Sequence, residues 1–265
     1  MLDLNHQSGA IYEPPTRDPG ITVAVNAAIN AMLVACNRNQ PARNYVSTSG
    51  LGRECLRQIQ YDYLGVPKDQ GAELEPRTLR IFESGHRGED VVAAWLRDAG
   101  FDLRTHDRNG KQFGFSQLAG RFRGHIDGCL VAGPVAIIYP ALWEHKTLGS
   151  GSWKDVVKKG VAISKPVYAA QIALYQTYLE LPAPALFTAL NRDTWELHAE
   201  LVSFEPALAQ RMSDRAVMVV RASDAHELMP RAAHDRSSAI CRGGVTAGVW
   251  HGACAWSDRC WRATA

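Results

Sequence analysis

Several things are scarce in this 265-residue chain, and each scarcity closes a door. No glycine-rich phosphate loop, no serine or cysteine nucleophile elbow and no His-x-x-x-His pair can be found, which leaves a zinc-stapled enzyme of other chemistry, such as a hydrolase of a small phosphate ester, without support. The chain opens Met1-Leu-Asp-Leu-Asn-His6, without a basic segment followed by an apolar run, so no secretory leader is expected and the predicted location is cytoplasmic. The most apolar stretch, Ile21 to Cys36, carries Asn26 and Asn30; it reads as a buried helix, too short and too polar to span a bilayer. No repeat or low-complexity tract is visible. Charge of one sign is also missing: 29 basic against 27 acidic residues leave +2, which neither requires nor excludes a nucleic-acid partner.

What is present is a core-forming composition, 46% apolar, and an ordered change of pattern along the chain. A proline-bearing arm (residues 1 to about 20) precedes the helix at 21–36. Residues 50–64 and 78–99 read as helices. From 101 to 148 glycine, aromatic and β-branched residues dominate, and 120–128 and 135–147 read as paired strands. A helix at 165–181, strands near 186–190 and 196–202, and a helix at 205–222 follow. The segment 237–265 reads as a loop rich in Gly, Cys and Trp. Helices, then strands, then alternating elements indicate a mixed α/β core.

One constellation carries chemistry. Asp127 stands in Gly124-His-Ile-Asp127-Gly128, and Glu144 and Lys146 in Trp143-Glu144-His-Lys146. Residues two apart on a strand share a face, and a hairpin would set Asp127 beside Glu144. Adjacent carboxylates repel unless a divalent cation neutralises them. Mg²⁺ or Mn²⁺ suits oxygen ligands and can activate water, and Lys146 can position that water, deprotonate it or neutralise phosphate charge. Surface charge on a hairpin is the bland alternative, but Ile137, Ile138, Leu142 and Trp143 carry the strand into a core before Glu144. Upstream, Glu89 in Gly85-His-Arg-Gly-Glu89 could add a third oxygen, or lie on a solvated helix face. Downstream, Gln171 and Tyr175 are four apart on one helix face, able to reach the site or simply to pack.

Six cysteines in a reducing compartment suggest metal ligation over disulfides. Cys36 and Cys129 lie in apolar surroundings and read as core. Cys55 sits early, and Cys241, Cys254 and Cys260 fall within the last 25 residues. Arg53, Arg57, Arg121, Arg123, Lys154, Lys158, Lys159 and Lys165 crowd around these motifs and could track a phosphate backbone. Trp153 could stack on a base. The segment from Lys154 to Lys165 reads as a mobile border of the site.

The series Gly85-x-x-x-Glu89, Gly-His-Ile-Asp127-Gly, Glu144-His-Lys146 and Lys165-Pro-x-Tyr-x-x-Gln171-x-x-x-Tyr175 resembles the RecB-like branch of the PD-(D/E)XK nucleases, including CRISPR-adaptation nucleases and phage-type exonucleases. The resemblance spans roughly residues 46–180 and the tail. It implies a restriction-endonuclease-like α/β fold, a mixed central sheet flanked by helices, with N-terminal helices and a cysteine-rich C-terminal tail packed against them. The implied organisation is an arm and helix (1–45), a nuclease core (46–235) and a metal-cluster tail (236–265) completed by Cys55. It implies Glu89, Asp127, Glu144 and the backbone carbonyl of His145 as ligands of Mg or Mn, Lys146 as catalytic lysine, and Gln171 and Tyr175 as active-site supports. Arg121, Arg123, Lys154, Lys158 and Lys165 would face DNA. It further implies a [4Fe–4S] cluster on Cys55, Cys241, Cys254 and Cys260. The family tail is usually C-x2-C-x5-C; here His251 holds the first of those positions, so His251 is the alternative to Cys241, and a Cys₃His set would suit zinc. Glu89 stands where many relatives have His. The expected function is a metal-dependent DNA nuclease, an exonuclease of recombination, repair or phage end processing. Its partners would be DNA and a single-strand annealing protein or helicase, with no membrane. The alternative is a catalytically silent DNA-binding or assembly subunit on the same fold.

Overall fold

The structure is a computed structural model that describes residues 18–41, 43–246 and 249–262. The arm before Asp18 lies outside the described residues. The chain divides into two compact units, residues 1–40 and residues 41–265.

The described part of the first unit is one helix, α1 (Pro19–Arg38). Asp18 caps it by accepting the Gly20 amide at 2.8 Å, and Pro19 occupies its first turn. None of its residues is buried, and Ile21, Val23, Val25 and Met32 are exposed. Its 20 residues are long and apolar enough to cross a membrane by length and composition. The expectation of a short buried helix is therefore corrected on both counts. The Asp18 cap extends the helix at one end, and Asn37 and Arg38 continue it past Cys36. Cys36 is likewise exposed, not core.

The second unit begins with β1 (Val46–Ser47), α2 (Thr48–Leu51) and α3 (Leu56–Tyr63). The single helix expected over 50–64 is broken between α2 and α3. Gly52 there lies so close to a later helix that a Cβ would come within 2.8 Å of the Val167 Cα. Next come α4 (Pro76–Asp98), β2 (Asp102–Arg104), β3 (Gly114–Gln117), β4 (Phe122–His125), β5 (Gly128–Ala132) and β6 (Ala141–Leu148). The segment after β6, expected to be mobile, forms α5 (Ser150–Lys159) and α6 (Val161–Ser164). Asp155 accepts a hydrogen bond from the Ser164 hydroxyl at 2.5 Å, and Glu200 accepts one from the Val161 amide, also at 2.5 Å; these pin the segment. Then follow α7 (Pro166–Tyr178), β7 (Ala185–Asn191), β8 (Leu197–Val202) and α8 (Pro206–Asp224). The tail forms α9 (Ala239–Arg242), β9 (Gly244–Thr246), β10 (Val249–His251) and α10 (Ser257–Arg262).

The main sheet has the order β2-β5-β6-β7-β8, antiparallel except for the parallel pair β6–β7. A small sheet, β1-β4-β3, stands apart from it, and β9 and β10 form a hairpin. The segment 120–128 is thus split between two sheets. β4 pairs with β1 and β3, while β5 pairs with β6, Gly128 opposite Trp143. Asp127 sits at the switch.

β6 is the centre. Its first five residues are all buried, as expected of a strand covered on both faces. Leu142 and Leu148 join a core with Ile172, Leu174, Tyr175, Phe187, Ala216 and Val219. Trp143 joins a second core with Val92, Ala93, Leu103, Leu130 and Leu190. Helices α7 and α8 therefore cover one face and α4 the other.

Candidate active site

Glu144 is completely buried on β6, where an apolar side chain would ordinarily stand. One of its carboxylate oxygens is paired with the Lys146 ammonium; the other, Oε2, has no hydrogen-bond partner. Lys146 also donates to the His145 carbonyl at 2.8 Å and lies 3.8 Å from Asp127 Oδ2. Asp127 is fixed in turn, because its Oδ2 accepts the His145 amide at 2.8 Å. That bond continues the β5–β6 ladder by one step through a side chain. Gly128 leaves room for the neighbouring strands: a Cβ there would meet Leu103 Cδ1 on β2 at 2.6 Å and Trp143 Cε3 on β6 at 3.1 Å.

Glu89 enters from α4. The preceding residue, Gly88, is buried against β6, and a Cβ on it would fall 2.0 Å from the Thr147 hydroxyl oxygen. Only glycine lets the helix settle this close. Burial, the Asp127 charge and, more weakly, Asp90 raise the Glu89 carboxyl to about 7, against the pull of Lys146. Glu144 is raised by burial and then by Asp127 and Glu89, while Lys146 opposes the shift. Burial acts to lower Lys146, but Glu144 and Asp127 outweigh it and hold the ammonium firmly protonated. Mutual repulsion, an orphaned buried oxygen and an all-oxygen donor set are what a hard divalent cation would relieve, so these residues fit such an ion. Among the described residues, no three His, Cys, Asp or Glu side chains already stand at the mutual spacing of a ligand set; Lys146 occupies the ground between the acids.

Gln171 and Tyr175 are both buried on α7, and Tyr175 lies near enough to feel the Glu144 and Asp127 charges. The Tyr175 hydroxyl accepts from Gln171 Nε2 at 3.0 Å and from Thr48 Oγ1 at 2.9 Å. Burial and the Glu144 charge push its ionisation upward, so it remains a phenol. Gly124 is pressed against this group, a Cβ there meeting Thr48 and Tyr175 at 2.6 Å each. Two residues here were given no role in the sequence reading, Tyr168 standing in the motif without one and Thr48 outside it. Tyr168, on α7, holds the Lys146 ammonium 5.4 Å from its ring centroid. Its spacing from Gln171 and Tyr175, three and seven residues, puts it on their helix face, a signal that was available. Thr48 lies 127 residues from Tyr175, and no local pattern announces it.

Other side chains are already engaged. Arg121 donates to both carboxylate oxygens of Asp224 at 2.7 Å. Arg123 donates to the Gly120 carbonyl at 2.6 Å and lies over Tyr45. Arg53 pairs with Asp62 at 3.6 Å, and Lys159 with Asp155 at 2.6 Å. Lys154 and Lys158 project from the exposed face of α5, and Lys165 is half-buried just before α7. Trp153 does not offer itself to a base. It is packed against the core with its indole N–H on the Ala189 carbonyl at 2.9 Å.

The second cluster is made of thiols. Cys55 stands at the start of α3, Cys241 in α9 and Cys260 in α10, and the Cys254 amide donates to the Cys241 carbonyl at 3.0 Å. All four thiols are free and line one cavity of about 20 Å³, with Arg57, Tyr61 and Arg231. Burial, with Cys55, Cys241 and Cys260 nearby, pushes the Cys254 thiol up to about 11. Arg57 is committed here, donating to the Met229 carbonyl at 2.5 Å with Cys260 Sγ at 3.8 Å. The His251 side chain lies outside the described residues. Cys129 is half-buried beside Arg104 and packs against the main core.

No protein-family model and no curated protein matches the chain. Solved structures do resemble it. An alkaline exonuclease from Laribacter hongkongensis is 13% identical with a TM-score of 0.50, over 70% of this chain and 90% of that one. The same enzyme in complex with dAMP gives 14%, 0.49, 69% and 89%. SSO0001 gives 14%, 0.43, 75% and 86%. At such identity the first of these speaks for architecture alone, and it agrees with the mixed sheet and flanking helices described above: the chain has the restriction-endonuclease-like α/β fold.

Proposed function

We propose that this protein is a divalent-metal-dependent deoxyribonuclease acting on DNA ends, an exonuclease. The observation that carries the reading is the Glu144 carboxylate, fully buried with one oxygen unsatisfied, beside Asp127 and the Lys146 ammonium. The exonuclease named among the structural neighbours is consistent with it. Glu89, Asp127, Glu144 and the His145 carbonyl would hold Mg²⁺ or Mn²⁺. The ion, when bound, supplies a lowered pKa for water and charge neutralisation at phosphorus.

The chain's own groups do the rest. Lys146 is held protonated, so its part is electrostatic: it stabilises charge on the phosphoryl oxygens in the transition state and does not take the proton. Ligation of its neighbours by an ion would free the ammonium from Glu144 for that purpose. Tyr175, positioned by Thr48 and Gln171, keeps its own proton to donate towards the acids or the substrate. Water attacks phosphorus and a P–O ester bond breaks; one water proton leaves to solvent, and the departing alkoxide takes a proton from solvent and leaves as the alcohol. Lys154, Lys158 and Lys165 would follow the phosphate backbone, with Arg121 and Arg123 exchanging their present partners for DNA.

At the other cluster we assign Cys55, Cys241, Cys254 and Cys260 to a [4Fe–4S] group, with zinc the alternative. Anaerobic purification followed by iron, sulfide and zinc analysis separates the two.

The test of the nuclease reading uses end-labelled linear DNA and the same DNA closed into a circle, with Mn²⁺. The parent is expected to digest only the linear form, and Glu144→Gln neither. A Glu144→Gln protein that digests as well as the parent overturns the assignment, and cutting of the closed circle overturns exonuclease action.

A further inference from the structure

We propose that His145 acts through its side chain as a positioning residue, setting where Glu89 stands by a one-way hydrogen-bond chain behind β6. The claim about the acids rests on the nuclease reading; the chain of bonds does not.

On β6, Glu144 and Lys146 face α7, while Trp143, His145 and Thr147 face α4. The His145 ring is buried, 3% exposed, and stacks on Trp143. Its Nδ1 lies 2.9 Å from Thr188 Oγ1 on β7, and its Nε2 lies 3.2 Å from Thr147 Oγ1. Both ends of the chain are fixed. Trp143 Nε1 can only donate, and it donates to Thr188 Oγ1 at 2.9 Å. The Gly85 carbonyl on α4 can only accept, and it accepts from Thr147 Oγ1 at 3.5 Å.

Thr147 Oγ1 can give its single proton to Gly85 or to Nε2; we assign it to Gly85, so that Thr147 accepts from His145 and Nε2 carries the hydrogen. A neutral imidazole has one N–H, so Nδ1 accepts from the Thr188 hydroxyl. The order is Trp143 to Thr188 to His145 to Thr147 to Gly85, from the sheet interior to the helix. The Thr147 oxygen, one link from the end, also occupies the space that a Cβ on Gly88 would need. Helix α4 is therefore seated on that hydroxyl, and the next residue along it is Glu89. The same histidine gives its amide to Asp127 and its carbonyl to Lys146. One residue thus sets the placement of an acid on each side of the strand. A supporting group of this kind is worth roughly 10- to 100-fold in metal affinity.

Two measurements test this. ¹⁵N-histidine NMR of the parent protein reads the tautomer directly, with the His145 signals assigned by their loss in His145→Gln. The Nε2–H form is expected, and the Nδ1–H form overturns the proposal without reference to activity. Calorimetric Mn²⁺ binding without DNA is then compared for Thr147→Val, which keeps the shape and loses the hydroxyl, and Thr147→Ser, which keeps the hydroxyl. Thr147→Val is expected to bind about 10- to 100-fold more weakly, and Thr147→Ser as the parent does. Equal binding by Thr147→Val, or equally weak binding by both variants, overturns the positioning role. Should Thr147→Val not fold, the tautomer and the Thr147→Ser affinity still decide. A parent that binds no Mn²⁺ sinks the nuclease reading instead, and leaves the tautomer as a separate result.

Discussion

The acidic corner and the cysteine corner both crowd like groups into one place, and they handle the crowding in opposite ways. At the acidic corner the groups sit on a strand buried on both faces and on a helix of 23 residues, and the chain supplies its own counter-charge in Lys146. At the cysteine corner the thiols come from near residue 55 and from the last 25 residues, on helices of four and six residues in the tail. Among the described residues its buried apolar cluster is Tyr61, Trp256 and Cys260, with Val66, Cys254, Ala255 and Trp261 packed against it. The rest is borrowed: Asp69 accepts the Asp258 and Arg259 amides at the start of α10, and Trp256 donates to the Val66 carbonyl at 2.8 Å. The acidic corner is held by its own ion pair and its own strand, whereas the cysteine corner has little of its own to hold four thiols together.

Removing Lys146 should erase that difference, and it carries the largest expected effect. Lys146→Met keeps the volume but leaves Glu144 and Asp127 without a counter-charge. Digestion of linear DNA is expected to fall on the order of 100-fold or more. Stability without metal should drop by about 3 kcal/mol, towards the low end for a broken buried pair because Lys146 is 22% exposed. Mn²⁺ should then raise the melting temperature of Lys146→Met more than that of the parent. A variant that melts like the parent and gains nothing from Mn²⁺ would mean that Lys146 is not what holds the acids together.

The second prediction strikes the other corner. Cys254→Ser should lose its bound metal and lower the melting temperature by about 5 °C or more, equivalent to roughly 2 kcal/mol in a chain of this size. The Mn²⁺ concentration that half-activates its remaining digestion should stay at the parent value. Unchanged melting and metal content would show that Cys254 holds no metal.

How far each corner could be read beforehand follows from the same contrast. Glu144 and Lys146 were legible because strand periodicity and an apolar approach fix their face locally, and Gln171 and Tyr175 because helical spacing does the same. The fold class followed from the order of such elements. The switch of sheet at Asp127 was not legible, since it depends on β4 finding β1 across some 75 residues. Nor was the break between α2 and α3, which Gly52 makes by touching α7. Thr48 and the Asp69 cap of α10 reach their partners only in the finished fold. Helix α1 misled in a further way: apolar composition implied burial, and the helix is exposed.

The smallest effect sharpens the comparison through pH. Glu89 has its carboxyl raised to about 7 from an ordinary value near 4.5. A carboxyl whose folded value lies above its unfolded one takes up a proton on folding, so its contribution is fully present below about 4.5 and is lost as pH rises through 7. Above pH 7 the charged Glu89 is a liability next to Asp127. Glu89→Gln should therefore melt higher than the parent at pH 8 without metal, by a few degrees at most because the residue is only half-buried. The gap should close as pH falls towards 4.5. Mn²⁺ should reverse the order at pH 8, because the parent then gains a ligand that glutamine replaces poorly. Melting curves for the two proteins at pH 5 and pH 8, with and without Mn²⁺, read all of this. Equal melting at pH 8 in both conditions would place Glu89 in solvent, leaving Asp127 and Glu144 as the whole of the acidic corner.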